Sequence, residues 1–270
     1  MLAGDTLKGG LQRAEEDGSM ANEGAPAPSG DYWNQTRRPL PCLIFLVPLL
    51  TLYEVGIVWI GGHSPDAIRN GADFGMRWAL EQIGLSLKYL LPVVIVLVFA
   101  FWHCWTREPW RLDGAVLLGM LSESLVLAVA LMVLGRLQDI AFQKLESSTI
   151  VASLWNPSSR LEDLVCYLGA GIYEETLFRL LLLPAVYFAL VSIGIPSQIS
   201  MTVALTLSGL AFSGAHYVGP MAESFVWFSF IFRWLAGLFF AGVFVLRGFG
   251  IAVGAHAAYD ILVGVLQFRL

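Results

Sequence analysis

Two adjacent carboxylates and an arginine interrupt an otherwise apolar stretch of the chain, residues 164–191. They are Glu174, Glu175 and Arg179. Residues four apart share one face of an α-helix, so Arg179 is expected to pair with Glu175, with the acid on the favourable N-terminal side. Glu174 is rotated by about 100° from its neighbour and shares a face with Phe178 instead. The spacing therefore predicts that Glu175 is neutralised and structural, whereas Glu174 is free for chemistry.

Two histidines lie in later apolar stretches of the sequence. His216 ends a segment that begins at Phe212, and His256 lies four residues before Asp260, so that these last two share a helical face. Polar groups are costly inside a lipid-embedded helix bundle, and they satisfy one another most cheaply. We therefore expect the carboxylates and the two histidines to converge on one polar site between helices.

Three kinds of chemistry fit such a cluster. In the first, Glu174 acts as a general base and His216 helps to hold and activate a water molecule. His256 and Asp260 then stabilise the oxyanion that forms when the water attacks a carbonyl group. In the second, the carboxylates and histidines bind zinc, although the usual HExxH helix is absent. In the third, the cluster is a proton or ion relay.

The composition indicates a membrane protein. Of the 270 residues, 57% are hydrophobic and 14% are charged, which departs from the usage of soluble domains. Several apolar runs reach the roughly 20 residues that a helix needs to cross a bilayer. We predict an all-α, polytopic transmembrane bundle of about seven spans. The net charge of −5 and the lack of a basic patch argue against a nucleic-acid partner.

Polar turns delimit the predicted spans. These cover residues 40–60, 87–105, 114–134, 161–191, 198–216, 223–246 and 251–268. A short amphipathic helix at 72–85 is predicted to lie in the membrane interface. Residues 1–36 are polar and rich in Gly, Ala, Ser and Pro, so they are predicted to form a disordered tail.

The arginine pair Arg37-Arg38 precedes the first predicted span. It could belong to a twin-arginine export signal. We favour a positive-inside anchor, because no small-residue cleavage site follows the apolar run. The tail is then cytoplasmic, and the protein is integral to the inner or plasma membrane. Of the other membrane charges, Glu54 or Glu123 is expected to form a structural pair with Arg233.

Taken in order, the polar motifs resemble the signature of the CPBP intramembrane proteases, the family of CAAX proteases, Abi proteins and bacteriocin-processing enzymes. The motifs are Glu174-Glu175-x-x-x-Arg179, Phe212-x-x-x-His216 and His256-x-x-x-Asp260. The likeness spans residues 164–266 and implies a glutamic-type endopeptidase that needs no cofactor and acts on a membrane-associated or membrane-anchored substrate. It implies that Glu174 and His216 activate the water and that Glu175 with Arg179 holds the first motif in place.

The resemblance also implies that His256 and the residue at position 260 form the oxyanion hole. Position 260 is often asparagine in the family, whereas this chain has Asp260. An ionised aspartate cannot donate a hydrogen bond to an oxyanion. Asp260 is therefore either protonated, which burial favours, or it orients His256 and holds it as imidazolium.

The resemblance divides the chain into three parts. Residues 1–36 are the predicted tail, residues 37–160 hold N-terminal transmembrane and interfacial segments, and residues 161–270 form a CPBP-like catalytic helical core. Two alternatives remain open. One is a non-catalytic scaffold, immunity factor or ion-relay protein of the same fold, and the other is a zinc-dependent membrane metalloprotease.

Overall fold

The computed structural model describes residues 32–62, 68–85, 90–145, 160–219 and 222–266. Within these residues the chain is helical and forms no strand. Its helices are α1 (Tyr32–Gln35), α2 (Pro39–Gly61), α3 (Gly71–Gln82), α4 (Leu90–Thr106), α5 (Gly114–Leu145), α6 (Arg160–Ser192), α7 (Ser197–Ala215), α8 (Trp227–Arg247) and α9 (Phe249–Val265).

The apolar helices agree with the predicted membrane bundle. Helices α2, α5, α6, α7 and α8 are long and apolar enough to cross a membrane, and α4 and α9 are shorter apolar helices. Each predicted span corresponds to one of these seven helices, which confirms the all-α membrane architecture. The largest shifts in the boundaries are in α5, which continues to Leu145, and in α8, which begins only at Trp227 because residues 222–226 are not helical.

Helix α9 lies at the centre of the bundle. Every residue from Phe249 to Ala257 is buried. The helix packs against α2, α5, α8 and the middle of α6, so it is apolar around most of its circumference. Gly248 alone separates α8 from α9 and has φ +95°, a conformation that favours glycine. This arrangement places His256 in the interior, beside α6.

The middle of α6 is wound as a π-helix over Ala170–Glu174 and Thr176–Leu182. π-helical turns are rare and are frequent at functional sites. Gly171 lies where this segment touches α9. A Cβ atom at position 171 would lie 2.9 Å from both the backbone nitrogen of Ala257 and the backbone oxygen of Val253. A glycine is therefore needed for this close approach of the two helices.

One N-terminal boundary needs correction. Residues 1–31 of the predicted tail lie outside the described residues, but its last part, Tyr32–Gln35, forms helix α1. Helix α3, which is predicted to lie in the interface, is also held by contacts inside the protein. Asp73 of α3 is fully buried and accepts hydrogen bonds from Arg69 at 2.7 Å and Arg77 at 2.6 Å. Its polar face is thus turned toward the other helices.

The remaining membrane charges have partners other than those predicted. Arg247 Nη2 donates to Glu123 Oε2 at 2.8 Å, and Arg77 Nη2 donates to Glu54 Oε1 at 3.0 Å. The prediction that Arg233 pairs with Glu54 or Glu123 is therefore wrong. The packing of the helices decides which arginine lies at the depth of each carboxylate, and sequence spacing does not report that depth.

Candidate active site

A cavity of 610 Å³ opens between α3, α6, α7, α8 and α9. All four predicted catalytic residues line it, namely Glu174, His216, His256 and Asp260, and so does the supporting residue Phe212. They come from α6, the end of α7 and α9, so the fold brings together residues that are up to 86 positions apart (260 − 174). Glu175 and Arg179, predicted to support the first motif, are fully buried outside the cavity lining.

Glu175 fixes the orientation of the His256 ring. His256 Nδ1 lies 2.8 Å from Glu175 Oε1. Because a carboxylate can only accept a hydrogen bond, the Nδ1 proton is assigned to this contact. Nε2 then faces the cavity, 3.5 Å from Asp260 Oδ2 and 4.0 Å from Glu174 Oε2. The Phe240 ring stacks on the His256 imidazole, with 4.5 Å between the two ring centroids, and so restricts the orientation of the imidazole.

Arg179 continues this chain of contacts on the other side of Glu175. Its Nη1 lies 3.1 Å from Glu175 Oε1, which is the ion pair expected from the spacing. Its Nη2 donates to the backbone oxygen of Gly237 at 3.1 Å, and its guanidinium carbon lies 4.5 Å from the centroid of the Phe212 ring. Buried contacts therefore connect Arg179 to Glu175 and Glu175 to His256, and they join α6 to α9.

Glu174 lines the cavity, and one of its two carboxylate oxygens is held by a hydrogen bond. Asn70 Nδ2 donates to Glu174 Oε1 at 3.0 Å. Oε2 has no hydrogen-bond partner among the described residues. A carboxylate held in this way can take a proton from a water molecule in the cavity. Glu175 Oε2 also has no hydrogen-bond partner among the described residues, but Glu175 does not line the cavity, so Glu174 is the neighbour that can act on a water molecule there.

Asn70 was not identified from the sequence. It is the N-cap of α3, where its Oδ1 accepts from the backbone nitrogen of Ala72 at 2.8 Å. The two ends of its amide thus serve different partners, α3 and Glu174. An asparagine before a helical segment is a recognisable capping signal. Nothing in the sequence indicates that its other end reaches a residue 104 positions away.

A buried network holds α3 against α6 and thereby positions Asn70. Arg77 bridges two carboxylates, since its Nε donates to Asp73 Oδ1 and its Nη2 to Glu54 Oε1. The hydroxyl of Tyr173 donates to the same Glu54 oxygen at 2.7 Å. Tyr173 immediately precedes Glu174 in α6, and Asn70 immediately precedes α3. The network therefore ties together the two backbones that carry the Asn70–Glu174 hydrogen bond.

His216 follows the last residue of α7 and faces the same cavity. Its Nδ1 lies 2.9 Å from the backbone oxygen of Phe212, so Nδ1 is the donor and Nε2 is the acceptor in a neutral ring. The Phe212 ring lies edge-on to both His216 and His256, with centroid distances of 5.4 and 5.6 Å. In the described part of the chain no hydrogen bond joins His216 to Glu174. The two residues are related only in that both line the same cavity.

A zinc site in a protein is normally formed by three or four His, Cys, Asp or Glu side chains. Within residues 32–62, 68–85, 90–145, 160–219 and 222–266, no group of three or more His, Cys, Asp or Glu side chains is arranged to hold a metal ion. The site residues are instead engaged by an amide, a carboxylate and a backbone carbonyl.

Residues 155–262 match the family model described as Type II CAAX prenyl endopeptidase Rce1-like. This match supports the assignment of the chain to the CPBP family. The matched range contains all three motifs, so the resemblance drawn from their residues is confirmed. No curated protein and no solved structure matches the chain. The Rce1-like match supports a CAAX-type intramembrane protease, and it covers α6, α7, α8 and most of α9, the helices that carry the cavity residues named above.

Proposed function

We propose that the protein is an intramembrane endopeptidase that hydrolyses a peptide bond in or near the bilayer. One observation carries the proposal. Glu174 and His256 line the same cavity. Among the described residues Glu174 Oε2 has no hydrogen-bond partner, and Glu175 holds Nδ1 of His256, which leaves Nε2 for other contacts. A base and an electrophilic group that face one space are what water-dependent attack on a carbonyl requires.

Glu174 begins the reaction as the general base. Its Oε2 takes a proton from a water molecule, while His216 Nε2 accepts the second hydrogen bond of that water and orients it. The oxygen of the water bonds to the carbonyl carbon, and the π electron pair of the carbonyl moves onto its oxygen. The electron pair then returns, the C–N bond breaks, and the proton held by Glu174 passes to the leaving nitrogen.

His256 stabilises the negative oxygen of the tetrahedral intermediate. Donation from Nε2 requires a proton there, and Nδ1 already holds one toward Glu175, so the active form is imidazolium. Asp260, 3.5 Å from Nε2, holds that positive charge in place. This supports the second of the two roles considered for Asp260, in which it acts through His256 instead of donating to the oxyanion itself.

The cavity fits a substrate with apolar groups. Its lining includes six phenylalanines, Phe74, Phe178, Phe212, Phe228, Phe232 and Phe240, together with Tyr167 and Tyr259. With the Rce1-like match, this supports a prenylated or otherwise membrane-anchored peptide as substrate. From the arginine pair Arg37-Arg38 we further propose that the first turn of α2 lies at the cytoplasmic face.

The test uses purified protein in liposomes and an internally quenched, farnesylated peptide with a C-terminal CaaX sequence. Glu174→Gln keeps an oxygen for the Asn70 hydrogen bond but removes the base, and we expect kcat to fall about 10²- to 10⁴-fold. Glu81→Gln, an exposed carboxylate of α3, is the matched control and should leave the rate unchanged. Cleavage by Glu174→Gln at the wild-type rate would overturn the assignment of the base.

Metal dependence is tested on the same preparation. Elemental analysis is combined with cleavage assays before and after treatment with a chelator. We expect chelation to leave the rate unchanged. Stoichiometric zinc, with activity lost on its removal and restored on its return, would replace this mechanism by the metalloprotease alternative. A wild-type protein that cleaves no membrane peptide would instead favour the non-catalytic alternative.

A further inference from the structure

Arg233 is a charge that the proposed reaction does not use. It lies within the apolar helix α8 and is the one Lys or Arg among the described residues that line the cavity. Its Nη2 donates to both carboxylate oxygens of Glu223, at 2.7 and 2.8 Å, and its Nη1 donates to the hydroxyl of Tyr217 at 3.3 Å. The cavity thus contains a guanidinium that already binds a carboxylate.

Structural stabilisation alone does not account for this pair. The side chains of Arg233 and Glu223 are 22% and 46% exposed, and exposed ion pairs contribute little to stability. An ionisable residue inside a membrane helix is costly and is by default functional. Glu223 belongs to the non-helical residues 222–226, and its backbone nitrogen donates to the backbone oxygen of His216 at 2.9 Å. The carboxylate partner is therefore connected to the site itself.

We propose that Arg233 is the receptor for the C-terminal carboxylate of the peptide substrate, and that Glu223 occupies it until the substrate binds. This inference rests on the proposed function, because it assigns the carboxyl end of the same substrate. Exchanging one carboxylate for another leaves the charge at Arg233 balanced. Glu223 can turn into water when displaced, since nearly half of its side chain is already exposed.

A carboxylate needs such a receptor in this cavity. Glu174 and Asp260 are acidic and would repel the negative end of a peptide, and Arg233 lies close enough to Asp260 to interact with it electrostatically. Guanidinium groups bind carboxylates through directed, charge-assisted hydrogen bonds. Arg233 therefore fixes where the carboxyl end of a peptide can lie, and hence the direction in which the peptide crosses the site.

The experiment compares two farnesylated CaaX peptides that differ only at the C-terminus, one a free acid and the other a carboxamide. Their dissociation constants are measured by fluorescence anisotropy in liposomes with the Glu174→Gln protein, so that binding is read without turnover. Arg233→Gln and Glu223→Gln are then added to this background. Arg136→Gln, which alters an exposed arginine paired with Asp139, is the matched control.

We expect the acid to bind about 10-fold more tightly than the amide, which is typical of one hydrogen-bonded charge. Arg233→Gln should bring this ratio to about 1 by weakening only the acid. Glu223→Gln should raise the ratio about tenfold, because it removes the internal competitor. Arg136→Gln should change neither constant.

Equal weakening of acid and amide by Arg233→Gln would overturn the inference, as would an acid-to-amide ratio near 1 in every variant or no binding of either peptide. The Glu223→Gln result gives a second test if Arg233→Gln fails to fold, and an unchanged ratio there would also refute the inference. The results that would refute the proposed function differ from those that would refute the carboxylate site. Acid-selective binding without cleavage by the wild type would refute the peptidase alone, whereas cleavage that depends on Glu174 without acid preference would refute the carboxylate site alone.

Discussion

Exchanging Glu175 for glutamine should destabilise the protein far more than the same change at Glu174. Glu175 and Arg179 are both fully buried, and their charges face each other at 3.1 Å. Removing one partner of a buried ion pair costs about 3–5 kcal/mol, because the other charge is left without compensation. Glutamine at position 174 still accepts the hydrogen bond from Asn70, so we expect a change in the free energy of unfolding of about 1 kcal/mol or less.

A double substitution checks the cause of the loss at position 175. Arg179→Met in the Glu175→Gln background removes the remaining charge while it keeps an apolar side chain against Phe212. Replacing both members of a buried pair by uncharged groups is often close to neutral. We therefore expect the double variant to recover about half or more of the stability that the single variant loses. Its activity should stay low, because glutamine at position 175 no longer holds His256 with a carboxylate.

The assay is thermal unfolding of the detergent-solubilised protein, followed by tryptophan fluorescence at one fixed heating rate. A loss of 3–5 kcal/mol corresponds to a fall in Tm on the order of 10 °C for a chain of this size. Cleavage rates measured on the same preparations should be low for both single variants. Equal falls in Tm for Glu174→Gln and Glu175→Gln would refute the division of these neighbours into a base and an anchor. So would a double variant that is less stable than Glu175→Gln alone.

Two further substitutions test how the site is positioned. Asn70→Ser keeps a side-chain oxygen to cap α3 but is too short to reach Glu174, so we expect kcat to fall about 10-fold, with KM and Tm nearly unchanged; a normal rate would show that Asn70 does not position the base. Gly171→Ala places a Cβ against the backbone of α9, and we expect thermal unfolding to show a loss of about 1–3 kcal/mol. Gly214→Ala, with open space around its added Cβ, should cost nothing; equal effects of the two glycine substitutions would contradict the close approach of α6 and α9.

Residues that are close in the sequence allowed the best predictions. Arg179 lies near Glu175, and Asp260 lies near His256, because four positions along one helix bring side chains together. The π-helical winding around Glu174 was not foreseen, since periodic patterns in a sequence do not distinguish π from α turns. The Glu175–Arg179 contact tolerates that winding because arginine is long and flexible.

Contacts between distant helices could not be read from the sequence. The hydrogen bond from Asn70 to Glu174 depends on how α3 docks, and α3 docks through the ion pairs of Asp73 and Arg77. The partner of Arg233 was predicted wrongly for the same reason, because the sequence does not show how the helices pack against one another. Glu175 was assigned to Arg179 alone, although its second contact, with His256, is what connects the first motif to the third.

The most direct test of the central claim is a comparison of peptide termini in membranes. Cells that lack this protein are supplied with the wild type, Glu174→Gln or Glu81→Gln, and mass spectrometry maps the termini of their membrane proteins. The account predicts new termini, close to the ends of membrane-anchored proteins, with the wild type and with Glu81→Gln but not with Glu174→Gln. The same termini in cells that contain Glu174→Gln at a normal level in the membrane would contradict the assignment of Glu174 as the base that activates water.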